Sequence, residues 1–142
     1  MASAAFEEIV ENFELFDDWE DRYRYVIELG REMDPLPEER KTDAARVEGC
    51  ASQVWLVPDL RTEEGAERLY FDGDSDAMIV RGLIAVLRAL VSGEKLSEVP
   101  QIDCHGELAR LGLEAHLSAQ RSNGLKAMIQ RLKDLAENSA AA

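Results

Sequence analysis

Apolar residues recur at steps of three and four near the start of the chain: Phe6, Ile9, Val10, Phe13 and Phe16, with Glu7, Glu8, Glu11 and Glu14 between them. This spacing predicts an amphipathic helix, and acidic residues near its start suit the positive end of the helix dipole. Asp17 or Asp18 is placed to cap a second helix through Met33, on which Trp19, Tyr23, Val26, Ile27 and Gly30 share one side. Asp34-Pro35-Leu36-Pro37 stops that helix, because proline has no N–H and pushes the residue before it out of the helical region. From Glu38 to Arg46 the chain is polar and aperiodic, which reads as an exposed connector.

The period then changes. Val54-Trp55-Leu56-Val57 is β-branched and aromatic and predicts a strand ended by Pro58. Arg61 to Gly65 reads as a turn and Arg68-Leu69-Tyr70-Phe71 as a second strand, antiparallel to the first. Gly73-Asp74-Ser75-Asp76 reads as a turn and N-cap for a helix over Ala77–Ser92 that is apolar on most sides, hence the core helix, with Gly93 ending it in a left-handed conformation. Short helical pieces are expected over Leu96–Val99 and Glu107–Leu111. A last helix is expected after Ser122-Asn123-Gly124, with Leu125, Ile129, Leu132 and Leu135 on one face. The expected architecture is α+β, a small antiparallel sheet with helices packed against one face, forming a single domain over residues 1–138 with a disordered tail over 139–142.

Charge narrows the partners. With 142 residues the chain is long enough to bury a core unaided, and its 29 acidic and 16 basic side chains give a net charge of −13. That balance repels nucleic acid and anionic membranes and favours a protein partner with a basic face. The first twenty residues lack the basic-then-apolar order of a secretory signal, and no apolar run approaches the roughly 18 residues of a membrane span, so a cytoplasmic location is expected. Cys50 and Cys104 are too few for a disulfide framework and are expected to be free thiols.

The chain carries no glycine-rich phosphate loop, no His pair at metal spacing on a helix and no Cys-x-x-Cys. A zinc site from Cys50, Cys104, His105 and His116 would use the whole Cys and His supply and fits no common spacing. A Cys–His hydrolase pairing Cys50 with His116 is chemically feasible, although nothing marks an oxyanion hole or an orienting acid. From composition alone, Cys50 reads first as a small packing residue. Its neighbours support a reactive reading as well: Gly49 gives backbone freedom and removes a Cβ beside the sulfur, and Ala51 and Ser52 keep the turn open. Cys104 has no such setting. Arg121 is a candidate cation for a thiolate or a partner carboxylate.

Several blocks occur in order along nearly the whole chain: Trp19-Glu20-Asp21-Arg22-Tyr23 with Glu28-Leu29-Gly30, Val47-Glu48-Gly49-Cys50-Ala51-Ser52-Gln53-Val54-Trp55, Gly73-Asp74-Ser75-Asp76-Ala77 with Gly82-Leu83-Ile84-Ala85, and His116-Leu117 with Arg121-Ser122-Asn123-Gly124-Leu125. Together they resemble the SufE family of sulfur acceptors. The resemblance implies an α+β fold shared with the scaffold proteins of iron–sulfur cluster assembly. It also implies a partner, a cysteine desulfurase of the SufS or CsdA kind that carries pyridoxal phosphate, while this chain holds no cofactor or metal and is itself no enzyme.

Cys50 occupies the family's sulfur-accepting position, and Gly49, Ser52, Gln53, Asp76, His116 and Arg121 fall on positions that support the Cys loop or dock the partner. A persulfide open to other thiols would be reduced, so the loop is expected to shelter Cys50, with Trp55 and neighbouring apolar side chains around it, and the resemblance implies that sulfur passes on to an iron–sulfur scaffold. A homodimer is compatible with it. Two alternatives remain at this point: a regulator that activates the desulfurase by binding alone, and a Cys-dependent hydrolase.

Overall fold

Helix α1 (Ala4–Leu15) begins at Ser3, whose hydroxyl accepts the Phe6 N–H, and buries Phe6, Ile9, Val10 and Phe13. Helix α2 (Trp19–Arg31) is capped by Asp18, which accepts the Asp21 N–H at 2.9 Å. Arg22 closes the corner between the helices, its Nε donating to the carbonyls of Phe13, which also accepts the Phe16 N–H, and of Phe16, at 3.2 and 3.1 Å. The computed structural model describes residues 3–141.

Three strands follow, β1 (Val54–Glu63), β2 (Ala66–Ser75) and β3 (Glu94–Lys95), in the order β1-β2-β3 with both pairings antiparallel. The first two are longer than expected. β1 continues through Pro58 because the Leu56 N–H already points away from β2, toward the Ala45 carbonyl. By alternation the Pro58 nitrogen faces the same free edge, where its missing N–H costs no ladder bond. The expected turn over 61–65 shrinks to Glu64-Gly65, both at positive φ (54° and 77°), which suits a two-residue hairpin loop. β3, with two residues, is too short to carry a periodic signal.

Val54, Leu56, Leu69 and Phe71 lie on the buried face of this sheet, under α3 (Met78–Val91), whose Leu83, Ile84, Val86 and Leu87 are 0–1 % exposed. Helix α3 is therefore the core helix, as its apolar pattern predicts. It crosses α2 where two glycines meet: a Cβ on Gly82 would overlap the Val26 carbonyl, and one on Gly30 would lie 2.6 Å from the Gly82 nitrogen. Gly93 follows the helix at φ 90°, the expected left-handed termination.

The remaining elements depart from expectation mainly at their boundaries. A 3-10 turn occupies Val99–Gln101, and α4 (Cys104–Ala109) starts early because Asp103 caps it, accepting the Gly106 N–H at 3.0 Å. Helix α5 (Ala119–Ala141) begins before Ser122-Asn123-Gly124, which sits inside it. Ser118 is the residue that starts α5, its hydroxyl accepting the Arg121 N–H at 3.2 Å and its carbonyl the Ser122 N–H at 2.9 Å. The backbone of the expected tail is helical as far as Ala141, and residue 142 lies outside the described residues. The connector before β1 is partly buried rather than wholly exposed: Ala45 packs inside, as does Val47 just beyond it, and Arg46 bridges to Trp55.

Candidate functional site

Cys50 sits on a loop between this connector and β1. Gly49 adopts φ 90°, a conformation that costs a residue with a Cβ about 1–2 kcal/mol and glycine nothing, so the sequence turns sharply just before the thiol. After the thiol, Asp76 holds the chain: its Oδ1 accepts the Gln53 N–H at 3.0 Å and its own N–H donates to the Gln53 carbonyl at 3.3 Å. Asp76 is therefore not the N-cap of α3. Ala77 occupies that position without a side-chain cap bond, and the Asp76 carboxylate serves the Cys loop instead.

The thiol points at α5, where Cys50 Sγ donates to the Gly124 carbonyl at 3.6 Å. Gly124 is buried, and a Cβ there would lie 3.5 Å from Cys50 Sγ, in van der Waals contact with it. Beside the half-buried thiol opens a cavity of about 400 Å³, with Val54, Val80, Leu83 and Met128 on its apolar side and Ser52, Ser118, Gln120 and Arg121 on its polar side. Burial pushes the Cys50 thiol above its ordinary pKa, so the resting group is held as the neutral thiol. Arg121 is the one charged side chain lining the cavity among the described residues.

The structure brings Cys50, Ser52 and Arg121 to one cavity and ties Gln53 and Asp76 to its loop. His116 stands apart from this group. Its ring stacks on Trp19 with centroids 3.7 Å apart and planes inclined by 20°, and its carbonyl accepts the Tyr23 hydroxyl. No hydrogen bond joins His116 to Cys50 among the described residues, so the alternative Cys–His dyad is not formed here. Trp55 does not shelter the thiol either. Adjacent to Val54 on the strand, it faces the other side of the sheet, where Lys41 Nζ lies 5.2 Å from its ring centroid. Cys104 is buried in α4, and His105 pairs with Glu114 at 3.2 Å. Among the described residues no group of three or more His, Cys, Asp or Glu side chains is placed to hold a metal ion.

Two contributors escaped the sequence reading. Asp74 reads as a turn residue but is 2 % exposed at the end of β2, accepting the N–H groups of Leu36 and Ser75 at 3.0 and 2.8 Å. Gly124 reads as part of a helix lead-in; its signal is a glycine inside a helix, which often marks close approach of another backbone or side chain.

The family described as SufE, an Fe-S metabolism associated domain, matches residues 7–136. An uncharacterized SufE-like protein of Rhizobium meliloti is 47 % identical over 133 residues, covering 94 % of this chain and 95 % of the relative. A second, from Rhizobium etli, is 47 % identical over 139 residues, covering 98 % of this chain and 94 % of the relative. The solution structure of a hypothetical protein from Thermus thermophilus superposes with a TM-score of 0.73 at 25 % identity, covering all of both chains. Sequence blocks, α+β architecture and these matches converge, and the chain belongs to the SufE family, whose domain is associated with iron–sulfur metabolism.

Proposed function

We propose that this protein accepts sulfur from a cysteine desulfurase onto Cys50 and passes it on for iron–sulfur cluster assembly. The observation that carries this reading is the placement of a free, half-buried thiol on a glycine-hinged loop beside a cavity of about 400 Å³ that holds one cation, Arg121. Family membership supplies the iron–sulfur context.

In the transfer step, the Cys50 thiolate attacks the terminal sulfur of a persulfide on the desulfurase. A new sulfur–sulfur bond forms on Cys50, the persulfide bond of the desulfurase breaks, and the electron pair leaves with the desulfurase's thiolate. The Cys50 proton goes to solvent or to that leaving thiolate, and no net oxidant is consumed. In the resting loop, burial keeps the thiol protonated, so the productive attack requires Cys50 to leave its contact with Gly124 and enter a more polar surrounding. The cavity shields a newly formed persulfide from other thiols, and Arg121 offers a positive charge to the persulfide anion.

Incubation with a desulfurase and free cysteine, followed by mass spectrometry of peptides, tests this. Added mass of one sulfur on Cys50, absent in Cys50→Ser and kept in Cys104→Ser, is the expected result. Stimulation of the desulfurase by Cys50→Ser at the native level would instead identify a regulator that acts by binding alone. Turnover of an ester or amide without any partner would identify a hydrolase.

A further inference from the structure

Arg131 lies on α5, away from the Cys50 cavity, and reaches back to the connector that leads into the Cys50 loop. Its Nη1 donates to the Arg46 carbonyl at 3.2 Å and its Nη2 to the Ala44 carbonyl. Ala45, between them, and Val47, just beyond, bond β1 instead: the Val47 N–H donates to the Val54 carbonyl at 2.8 Å and the Ala45 carbonyl accepts the Leu56 N–H at 2.9 Å. The connector is thus a hydrogen-bonded turn over 42–46, the Arg46 N–H bonding the Thr42 and Asp43 carbonyls at 3.2 Å, held on one side by β1 and on the other by the Arg131 guanidinium. A planar fork bonding two carbonyls is a geometry that arginine forms and lysine cannot.

Helical spacing connects this contact to the thiol. Gly124, Ala127 and Arg131 stand at steps of three and four residues, on one face of α5. Along that face Gly124 accepts the Cys50 thiol, Ala127 lies under Gly49, where an added Cβ would come within 3.4 Å of the Ala127 Cβ, and Arg131 grips Arg46 and Ala44. Chain direction runs opposite in the two segments, so seven residues of connector and loop lie along two turns of helix.

We propose that Arg131 is a positioning residue for Cys50, latching the base of its loop to α5 so that the thiol is held against Gly124 and released when this latch opens. The latch is read from geometry alone; its part in sulfur transfer rests on Cys50 being the acceptor. Asp76 fixes the far end of the loop and β1 holds Ala45 and Val47, so with the latch open the segment from Glu48 to Ser52 can swing about Gly49 while the sheet and α5 stay folded.

The two cysteines allow a test on the full chain. Iodoacetamide labelling followed by peptide mass spectrometry gives separate rates for Cys50, at the loop, and for Cys104, which is 3 % exposed and reports general opening. Arg131→Met keeps the side-chain stem and removes the donors. It is expected to raise the Cys50 rate about tenfold, the effect of losing a charge-assisted hydrogen bond on a local opening equilibrium, and to leave the Cys104 rate unchanged. The pH at half-maximal Cys50 labelling is expected to fall as the thiol leaves its buried setting.

Arg131→Lys, with charge but no fork, gives an intermediate rate. Native Cys50 labelling in both variants overturns the proposal, and so does a parallel rise at Cys104, which would mean that Arg131 only stabilises the fold. If the native chain takes no sulfur on Cys50 from a desulfurase, the proposed function fails while the labelling result still decides the latch.

Discussion

Arg81 Nη1 lies 3.1 Å from Asp74 Oδ1, and the carboxylate it meets is almost wholly enclosed. The same guanidinium donates through Nη2 to the carbonyls of Gly30 and Met33 at 3.1 and 2.8 Å. One side chain on α3 thereby joins the end of β2 to the end of α2. Replacing Arg81 by Met leaves the Asp74 charge buried with Lys41 Nζ, 3.7 Å away, as its remaining cation. The expected outcome is a loss of about 3 kcal/mol in unfolding free energy, measured by urea denaturation, because breaking one partner of a buried pair strands the other. A change well under 1 kcal/mol would mean that the enclosed carboxylate is satisfied by Leu36, Ser75 and Lys41 alone.

The crossing of α2 and α3 gives a second prediction. Gly82→Ala places a methyl group against the Val26 backbone carbonyl, which cannot rotate away as a side chain would. The helices must separate, and the expected cost is about 1–3 kcal/mol or more. A depressed melting temperature with an unchanged far-ultraviolet circular dichroism spectrum is the corresponding readout. Gly65→Ala is the control, since nothing lies within 4 Å of an added Cβ there and only the positive φ opposes it.

Asp76→Ala removes the acceptor that holds the Gln53 N–H at the C-terminal side of the Cys50 loop. Asp76 is exposed, so global stability should change little, by about 1 kcal/mol at most. Cys50 labelling by iodoacetamide should nevertheless accelerate by about fivefold, the factor that a hydrogen bond of that net strength represents. Unchanged labelling would assign Asp76 to the turn rather than to the loop.

For Cys50 itself the pH dependence has a definite sign. Burial raises the pKa of its thiol in the folded protein, so the folded state binds the proton more tightly than the unfolded chain does. The associated stability is complete below the unfolded thiol's pKa and is lost as pH rises through the folded value. Cys50 labelling in the native protein should therefore reach half its maximum at a higher pH than labelling of the same residue in urea. The reverse order would require a cation close enough to stabilise the thiolate in the resting loop.

The periodic signals were legible wherever one face of an element was buried. Helix α3 shows this best, its apolar spacing matching its burial almost residue by residue. Boundaries were less legible where a single side chain chose them. Ser118, not the Ser122-Asn123-Gly124 group, starts α5, and both could cap a helix on propensity alone. At the site, the Gly49-Cys50 turn was visible as chemistry, whereas the roles of Gly124 and Asp74 depend on long-range packing that local pattern does not encode. His116 belonged to the family blocks, yet its ring packs on Trp19, a contact no spacing rule connects.

Pro58 has a consequence for the protein in a crowded solution. The β1–β2 hairpin runs on past the core, with Asp59, Leu60, Arg61, Thr62 and Glu63 exposed along a strand whose outer edge lies open. An open edge is a template on which another chain can add a strand. Here the template has a missing donor at Pro58, and charged side chains crowd the positions beside it. A long, water-facing ribbon can thus persist without recruiting neighbours, and Pro58→Val, which restores the donor, should turn a quiet edge into an adhesive one.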